Sequence, residues 1–108
     1  MKDYKDKRWL NKRELRLKTD EYKCQECKRY GRPKAKATMV HHIIPYAWCK
    51  LYNVLLALDL KNLISLCDTC HGKMHNKVDG KLTELGRSWV RRMGEFGLKW
   101  LEEYGDDW

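Results

Sequence analysis

The sequence lacks the features that would place the chain in a membrane or direct it out of the cell. No apolar run approaches the roughly 18 residues that a membrane-spanning helix needs. Met1 opens directly into a charged stretch, so no basic, apolar and small-residue leader is present. Internal repeats and low-complexity segments are also absent. Because 108 residues are too few for two self-sufficient cores, we expect one small, soluble, cytoplasmic domain.

Excess positive charge is confined to the N-terminal third of the chain. The sequence has 23 Lys plus Arg against 15 Asp plus Glu, a formal net charge of +8. Residues 1–36 carry this whole excess, whereas residues 37–108 are neutral. Such a distribution is typical of an anion-binding surface. A well-solvated helix face would have the same charge, so charge alone does not name a partner.

Hydrophobic spacing predicts a small α+β domain with helices at both ends. Residues 4–23 place apolar side chains at helical intervals, with Lys and Arg between them. Residues 83–104 form a second amphipathic stretch, and three internal glycines favour its division into two helices. Between these ends we expect a strand pair within 35–44, a short helix over 48–60, a strand over 62–66 and a helix from Cys70 through His75.

Two Cys-x-x-Cys pairs are predicted to share one structural zinc ion. They are Cys24 with Cys27 and Cys67 with Cys70, and together they offer a tetrahedral shell of four sulfurs. Two disulfides are the alternative, although nothing in the sequence indicates an oxidising compartment. The fifth cysteine, Cys49, lies in an apolar segment and is expected to be a buried small side chain that binds no metal.

All four histidines lie beside this cysteine framework. His41 and His42 are adjacent on a predicted strand, and His71 and His75 would share one face of the helix that follows. A closed four-sulfur zinc site needs no histidine, so these side chains indicate a second metal site. Neighbouring strand residues point to opposite faces, so one of His41 and His42 can bind the ion while the other stays free. Unconnected surface histidines are the alternative interpretation.

A free histidine beside a liganded one suits the hydrolysis of a phosphodiester bond. The reaction needs a base that deprotonates water, and imidazole titrates near neutral pH. It also needs a cation beside the phosphate, which offsets the charge that grows on the phosphoryl and leaving oxygens. The histidine cluster could supply both requirements within one site.

The residues around the histidines resemble the HNH endonucleases, most of all the small standalone enzymes of phages and prophages. His42, Asn62 and His71 fall at positions like the three residues that name the family. Residues 40–45 (VHHIIP) are similar to its first strand, and residues 59–71 (DLKNLISLCDTCH) to its second strand and the helix that follows. The resemblance covers Trp9 to Asn76 and departs from the family in the long apolar stretch between Pro45 and Asp59.

The resemblance implies a ββα-metal, treble-clef-like core with one catalytic divalent ion (Mn²⁺, Ni²⁺, Zn²⁺ or Mg²⁺) besides the structural zinc. His41, where many members have Asp, and His71 would be ligands of that ion. His42 would be the general base, and Asn62 would hold the backbone of its loop. His75 matches a third ligand of the histidine-rich, colicin-like members. One domain would span 1–108, with a basic helix (1–23), the zinc-knuckle core (24–76) and a C-terminal helical segment (79–108).

The expected function on this resemblance is metal-dependent cleavage or nicking of DNA. Phage enzymes of this type imply terminase subunits as partners in genome packaging in the host cytoplasm, and a homing or restriction role stays open. DNA would be bound mainly through its backbone by residues of the basic segment: Lys12, Arg13, Arg16, Arg32, Lys34 and Lys36. One alternative is a non-catalytic treble-clef zinc module that binds nucleic acid. Another is an interaction module in which the Trp-rich C-terminal segment docks on a partner.

Overall fold

A two-stranded antiparallel sheet lies at the centre of the computed structural model, which describes residues 6–108. β1 (Met39–His42) pairs with β2 (Leu63–Leu66) in a register that places His41 opposite Ile64. All four residues of β2 are buried, and β2 contacts the first two helices as well as β1. The first two helices therefore pack against this second strand.

Six α-helices surround the sheet within residues 6–108. They are, in chain order, α1 (Lys7–Thr19), α2 (Gln25–Arg29), α3 (Tyr46–Tyr52), α4 (Asp68–Gly72), α5 (Glu84–Arg91) and α6 (Glu95–Tyr104). Two 3-10 turns, Val54–Leu58 and Leu60–Asn62, join α3 to β2. Because β1, β2 and α4 form a ββα unit flanked by helices and four clustered cysteines, the predicted α+β fold of the ββα-metal kind is confirmed.

The N-terminal helix is shorter than the one expected over residues 4–23, whose first two positions lie outside the described residues. α1 begins after Asp6, whose side chain caps it by accepting a hydrogen bond from a first-turn N–H group. It ends at Thr19, because Glu21 and Tyr22 adopt left-handed backbone conformations (φ 56° and 57°) that a right-handed helix cannot include.

The segment 35–44 contains one strand and not the pair expected there. Its second half is β1, and the partner strand is β2. Its first half lies against the first cysteine pair, where Lys36 bridges to Lys23 and the Ala35 carbonyl accepts a hydrogen bond from the Cys24 N–H (2.8 Å). The turn after α2 folds the chain back, so these residues brace the cysteine pair and do not extend the sheet.

The apolar segment 48–60 is not the single helix that was expected. α3 ends at Tyr52, because Asn53 is extended (φ −157°) and its side chain caps the 3-10 turn by accepting a hydrogen bond from the Leu56 N–H (3.2 Å). Leu56 and Ala57 of that turn are buried. The break in the helix places the Ala57 carbonyl beside the strand that carries the histidines.

The helix that follows the second cysteine pair also ends early. α4 stops at Gly72, so His75 lies beyond it and forms an isolated bridge with Leu82. The chain turns back at this point because the Thr83 N–H donates to the Met74 carbonyl (3.0 Å). The expectation that His71 and His75 share one helix is therefore wrong, although both still face the same cleft, as described below.

The C-terminal segment forms two helices, as its glycines predicted. Gly94 (φ 80°) separates α5 from α6. Gly97 lets the two helices pack closely, because a Cβ at that position would lie 1.9 Å from the Val90 carbonyl oxygen. No helix within residues 6–108 is long and apolar enough to cross a membrane.

The C-terminal aromatic residues belong to the hydrophobic core. Trp100 is buried, and Trp89, Tyr104 and Trp108 pack against the same cluster. The Trp89 indole N–H also donates to the Glu26 carboxylate (2.8 Å), which ties α5 to the first cysteine pair. Trp100 is therefore part of the core, and the other three rings are partly buried against it; the docking of this segment on a partner stays a prediction. A smaller buried cluster lies under α1: Trp9, Leu17, Ala37, Val40 and Leu63.

Candidate active site and metal centres

The four cysteines of the two Cys-x-x-Cys pairs converge on one point. Their sulfur atoms all lie within 4.8 Å of one another, and the Cys27 sulfur is 3.9 Å from that of Cys67 and 3.7 Å from that of Cys70. A tetrahedral ion with metal–sulfur bonds of ~2.3 Å would separate its ligands by about 3.8 Å. All five cysteines of the chain are free thiols, so the disulfide alternative does not describe this structure. The residues fit a structural zinc ion.

Each cysteine pair is shaped by the helix that starts inside it. Cys24 and Cys67 are the N-cap residues of α2 and α4, and their sulfurs accept hydrogen bonds from the N–H groups of Cys27 and Cys70 (both 3.4 Å). These N–H groups stabilise a thiolate in the capping position. Each Cys-x-x-Cys turn is therefore shaped by residues close together in the chain, and the fold brings the two turns together.

The thiols of this cluster cannot all ionise without a cation. Burial raises the pKa of the Cys27 and Cys70 thiols. Burial also opposes ionisation of Cys67, but the Cys70 N–H and the neighbouring thiols outweigh it and lower the pKa of Cys67 to about 7. A bound metal would replace the remaining protons. Cys49 lies apart from the cluster, and burial raises its pKa to about 11, as a buried non-ligand requires.

The four histidines line one cleft of about 270 Å³ between α1, β1 and the 3-10 turn after α3. His41 lies at its buried end with 3% of its surface exposed. The ring centroid of His41 is 5.7 Å from that of His71 and 5.7 Å from that of His75. Three imidazoles from β1, α4 and the bridge after α4 therefore meet in space, although only one of them is on a helix.

A buried His41 nitrogen has no partner within the described residues. Nε2 of His41 makes no hydrogen bond there, a costly arrangement for a polar atom in the interior. Burial, and then the charges of His75, His71 and His42, hold the pKa of His41 well below its ordinary value. The ring is therefore neutral near pH 7 and can offer a lone pair to a cation.

The tautomer of His75 leaves one nitrogen free for such an ion. Its Nδ1 lies 3.0 Å from the Gly80 carbonyl oxygen, which can only accept, so Nδ1 carries the proton. Nε2 is then the atom with a lone pair. A backbone carbonyl that fixes the ring in this way is typical of histidines that bind metals. Burial and the charge of His75 lower the pKa of His71 as well.

His42 is held separately from the other three imidazoles. Its Nε2 donates to the Ala57 carbonyl (3.0 Å), so Nδ1 is the acceptor in the neutral ring. Its ring stacks on Trp9 with centroids 4.8 Å apart and planes at 22°, and it contacts Tyr46 at 5.2 Å. Burial lowers the pKa of His42, and the hydrogen bond to Ala57 opposes this only in part. His42 is therefore a neutral acceptor near pH 7.

Asn62 fixes the turn that follows β1. It is fully buried; its Oδ1 accepts from the Ile44 N–H (2.7 Å) and its Nδ2 donates to the Ile44 carbonyl (3.2 Å). The Asn62 carbonyl also accepts from the Ile43 N–H (2.8 Å). Asn62 thereby makes the hydrogen bonds that a neighbouring strand would otherwise make with Ile43 and Ile44, the residues directly after His42.

The basic residues named from the sequence differ in their surroundings. Arg13 lines the cleft and donates to the Thr38 carbonyl (2.9 Å). Arg16 is engaged inside the protein, in an ion pair with Asp20 (2.8 Å) and a hydrogen bond to the Leu60 carbonyl. Arg16 is thus a structural residue in this fold, and its charge is compensated. The other four are on the surface: Lys12 is half-buried, and Arg32, Lys34 and Lys36 are exposed.

Sequence reasoning missed several residues that shape the cleft. Arg8 is exposed and lines it, in an ion pair with Asp6 (3.0 Å). Trp9 and the Ala57 carbonyl contact His42 directly. The helical spacing of Trp9 predicted burial but could not say which side chain it would meet, and a backbone carbonyl leaves no signal in a sequence.

The fold and the cysteine cluster are those of a small ββα-metal domain. Residues 24–77 match the family model described as HNH endonuclease. The chain is also similar to a "Probable HNH endonuclease" of Lactococcus phage SK1, with 36% identity over 70 residues that cover 65% of this chain and 71% of the relative. No solved structure matches the chain. The chain belongs to the HNH endonuclease family.

We expect the purified chain to hold about one tightly bound zinc ion per molecule, lost in Cys67→Ser together with helical circular dichroism. The reason is that the binding free energy of a structural zinc is folding free energy. Metal analysis after dialysis and far-ultraviolet spectra measure both. Cys49→Ser is the matched control and should keep its zinc. A wild-type chain that is cooperatively folded without zinc would contradict this assignment.

We expect Asn62→Ala to lower the free energy of unfolding by about 2–4 kcal/mol, because it leaves the Ile44 N–H buried and unpaired and the Ile44 carbonyl with only the weak donor of the Cys49 thiol. Urea unfolding followed by tryptophan fluorescence measures the change. Asn11→Ala, at an exposed position of α1, is the control and should alter stability by less than about 0.5 kcal/mol. Equal effects of the two substitutions would show that the Ile44 contacts are not important for stability.

Proposed function

We propose that this chain is a metal-dependent endonuclease that hydrolyses DNA phosphodiester bonds. The observation that carries the proposal is the arrangement of the cleft: the His41 ring, with an unpaired buried nitrogen, lies 5.7 Å from the rings of His71 and His75, while His42 is held apart as a neutral acceptor. A cation site and a base thereby lie in one opening of the protein. Membership of the HNH endonuclease family supports the same chemistry.

His42 is the proposed general base. With Nε2–H donated to the Ala57 carbonyl, Nδ1 can take the proton of an attacking water. Burial lowers the pKa of His42, so the ring is unprotonated and ready to accept at neutral pH. Asn62 holds the backbone just after His42 through its two hydrogen bonds with Ile44, so we assign it a role in keeping the strand end in place.

His41, His71 and His75 are the proposed ligands of the catalytic ion. A divalent cation held there would offset the negative charge that develops on the phosphate oxygens during hydrolysis. Imidazole nitrogen favours Mn²⁺, Ni²⁺ or Zn²⁺ over Mg²⁺, which prefers oxygen. The carboxylate that lines the cleft belongs to Asp6, and it is engaged by Arg8.

The substrate-binding surface that we propose runs from the cleft over the basic N-terminal part of the chain. Arg8 and Arg13 line the cleft, and Lys12 is on the same helix. The exposed residues Arg32, Lys34 and Lys36 follow the first cysteine pair and extend the positive surface. Contacts of this kind bind the phosphate backbone and carry little sequence information.

The wider biological role in the proposal is that of a phage-encoded enzyme in the host cytoplasm that acts beside the terminase in genome packaging. It is supported by the resemblance to the small phage enzymes and by the phage origin of the similar protein. A non-catalytic zinc module that only binds nucleic acid would leave the three-histidine cluster and the separate His42 without a role.

We expect wild-type protein to relax or linearise supercoiled plasmid with Mn²⁺ and to lose this activity with EDTA. His42→Ala should cleave about 10²–10⁴-fold more slowly, because it removes proton abstraction and leaves charge neutralisation intact. Gel assays of cleavage, with metal and DNA binding measured alongside, separate the two effects. Wild-type cleavage by His42→Ala would exclude His42 as the base, and an inactive wild type that still binds DNA would favour the non-catalytic module.

We expect stronger activity with Mn²⁺ or Ni²⁺ than with Mg²⁺ at equal concentration, because the proposed ligands are nitrogens. His75→Ala should raise the metal concentration for half-maximal activity and leave the saturated rate largely intact. Metal titrations of plasmid cleavage measure both quantities. If Mg²⁺ gives the higher activity and His75→Ala changes nothing, the three-histidine site is wrong.

We expect log affinity for DNA to fall linearly with log salt, with a slope that becomes less steep by about 2 when Lys12 and Arg13 are both changed to Gln. Fluorescence anisotropy with a labelled duplex at several salt concentrations measures the slope. The control changes Arg91 and Arg92 of the C-terminal half to Gln and should leave the slope nearly unchanged. An equal effect of both pairs would place the DNA surface elsewhere.

A further inference from the structure

The imidazole of His42 is held by an aromatic side chain from outside the part of the chain that matches the family model. Trp9 is on α1, whereas the family match covers residues 24–77. The planes of the two rings are only 22° apart at a centroid distance of 4.8 Å, which is a stacked contact. The contact therefore joins α1, a helix outside the family match, to the proposed general base.

The residues around Trp9 hold its indole ring in a fixed position. Only 9% of its surface is exposed, and it packs in the buried cluster with Leu17, Val40 and Leu63. A face buried to this extent is not free to stack on a DNA base. Its contact with His42 is made inside the protein, and α1 cannot shift without disturbing the cluster.

A single hydrogen bond does not fix the plane of an imidazole ring. The bond from Nε2 to the Ala57 carbonyl restrains one atom of His42, and the Tyr46 ring contacts the imidazole at 47° to its plane, so neither contact holds a face of the ring flat. A stacked indole removes this freedom because tilting would break the ring contact. Proton transfer depends steeply on such alignment, since a misplacement of about 1 Å can cost roughly 10²-fold in rate.

We propose that Trp9 is a positioning residue for the reaction: it holds the His42 imidazole in the plane that keeps Nε2 on the Ala57 carbonyl and Nδ1 as the proton acceptor. The inference rests on the proposed function, in which His42 is the general base. It makes α1 a required part of the catalytic unit, so residues 24–77 alone would lack a support of the base.

The test compares Trp9→Leu and Trp9→Phe with Leu17→Ala, which disturbs the same buried cluster without touching His42. Rates with Mn²⁺ on a labelled duplex and thermal midpoints are measured for the full chain. We expect Trp9→Leu to lower kcat by about 10–100-fold with KM changed less than about twofold. Trp9→Phe keeps a ring to stack and should stay within about threefold of wild-type kcat. Leu17→Ala should lower the thermal midpoint but not kcat.

A second readout reports the ring contact directly. In the zinc-loaded protein the indole should shift the ring-proton NMR signals of His42 upfield, and Trp9→Leu should abolish the shift while Trp9→Phe retains part of it. In a His42→Ala background Trp9→Leu should cause no further loss of rate, because there is no base left to position.

Two outcomes would overturn the inference. One is a kcat loss in Leu17→Ala equal to that in Trp9→Leu, which would make Trp9 merely structural. The other is an unchanged kcat in Trp9→Leu while His42→Ala is inactive, which would leave the base assignment standing without Trp9. Full activity of His42→Ala would instead overturn the proposed function itself, so the two failures are distinguishable.

Discussion

The meeting of two cysteine pairs from distant parts of the sequence is the constraint on which the other features depend. The pair at Cys24 and Cys27 comes before β1, and the pair at Cys67 and Cys70 comes directly after β2. Their shared site forces the intervening chain to leave and return to one point, which the antiparallel sheet accomplishes. A domain of this size buries too little surface for a large stability margin, so an ion that joins these segments contributes much of it.

The positions of the histidines in the cleft follow from that constraint. His71 follows Cys70 immediately, so the second cysteine pair sets its position. His41 reaches the same place through the strand register, which puts it opposite Ile64, just before that pair. His42, one residue further, lines the same cleft from the other face of the strand, where it stacks on Trp9, because strand side chains alternate. Three contacts then hold this second histidine and its strand end: the Ala57 carbonyl, Trp9 and the Asn62 amide.

Burial gives His41 and His42 different properties. The interior position of His41 disfavours the imidazolium form, which keeps a lone pair for a cation. His42 is less buried, and its hydrogen bond to Ala57 decides which nitrogen keeps the proton. In the function that we propose, one residue type would therefore serve both as metal ligand and as base because its surroundings differ.

The features that could be predicted from the sequence are those fixed by residues close together in the chain. The cysteine spacing and the ββα order follow from rules that act over a few residues, and these agree with the structure. His75 was expected on a helix, but a contact between Thr83 and Met74 ends that helix early. The stack of Trp9 on His42 joins residues from two elements, so no local pattern contains it. The broken helix at Asn53 is a similar case, since the apolar spacing around it gives no sign that its side chain would cap a turn.

Our central proposal is that the protein has two separate metal sites and one histidine that binds neither ion. Anomalous diffraction from crystals of the full chain with Mn²⁺, measured at the zinc and manganese edges, tests it most directly. We expect zinc bonded at ~2.3 Å to the four sulfurs, manganese bonded to nitrogens of His41, His71 and His75, and His42 free of metal beside Trp9. Manganese bound to His42, or a single metal peak at the cysteines with the three histidines empty, would contradict it.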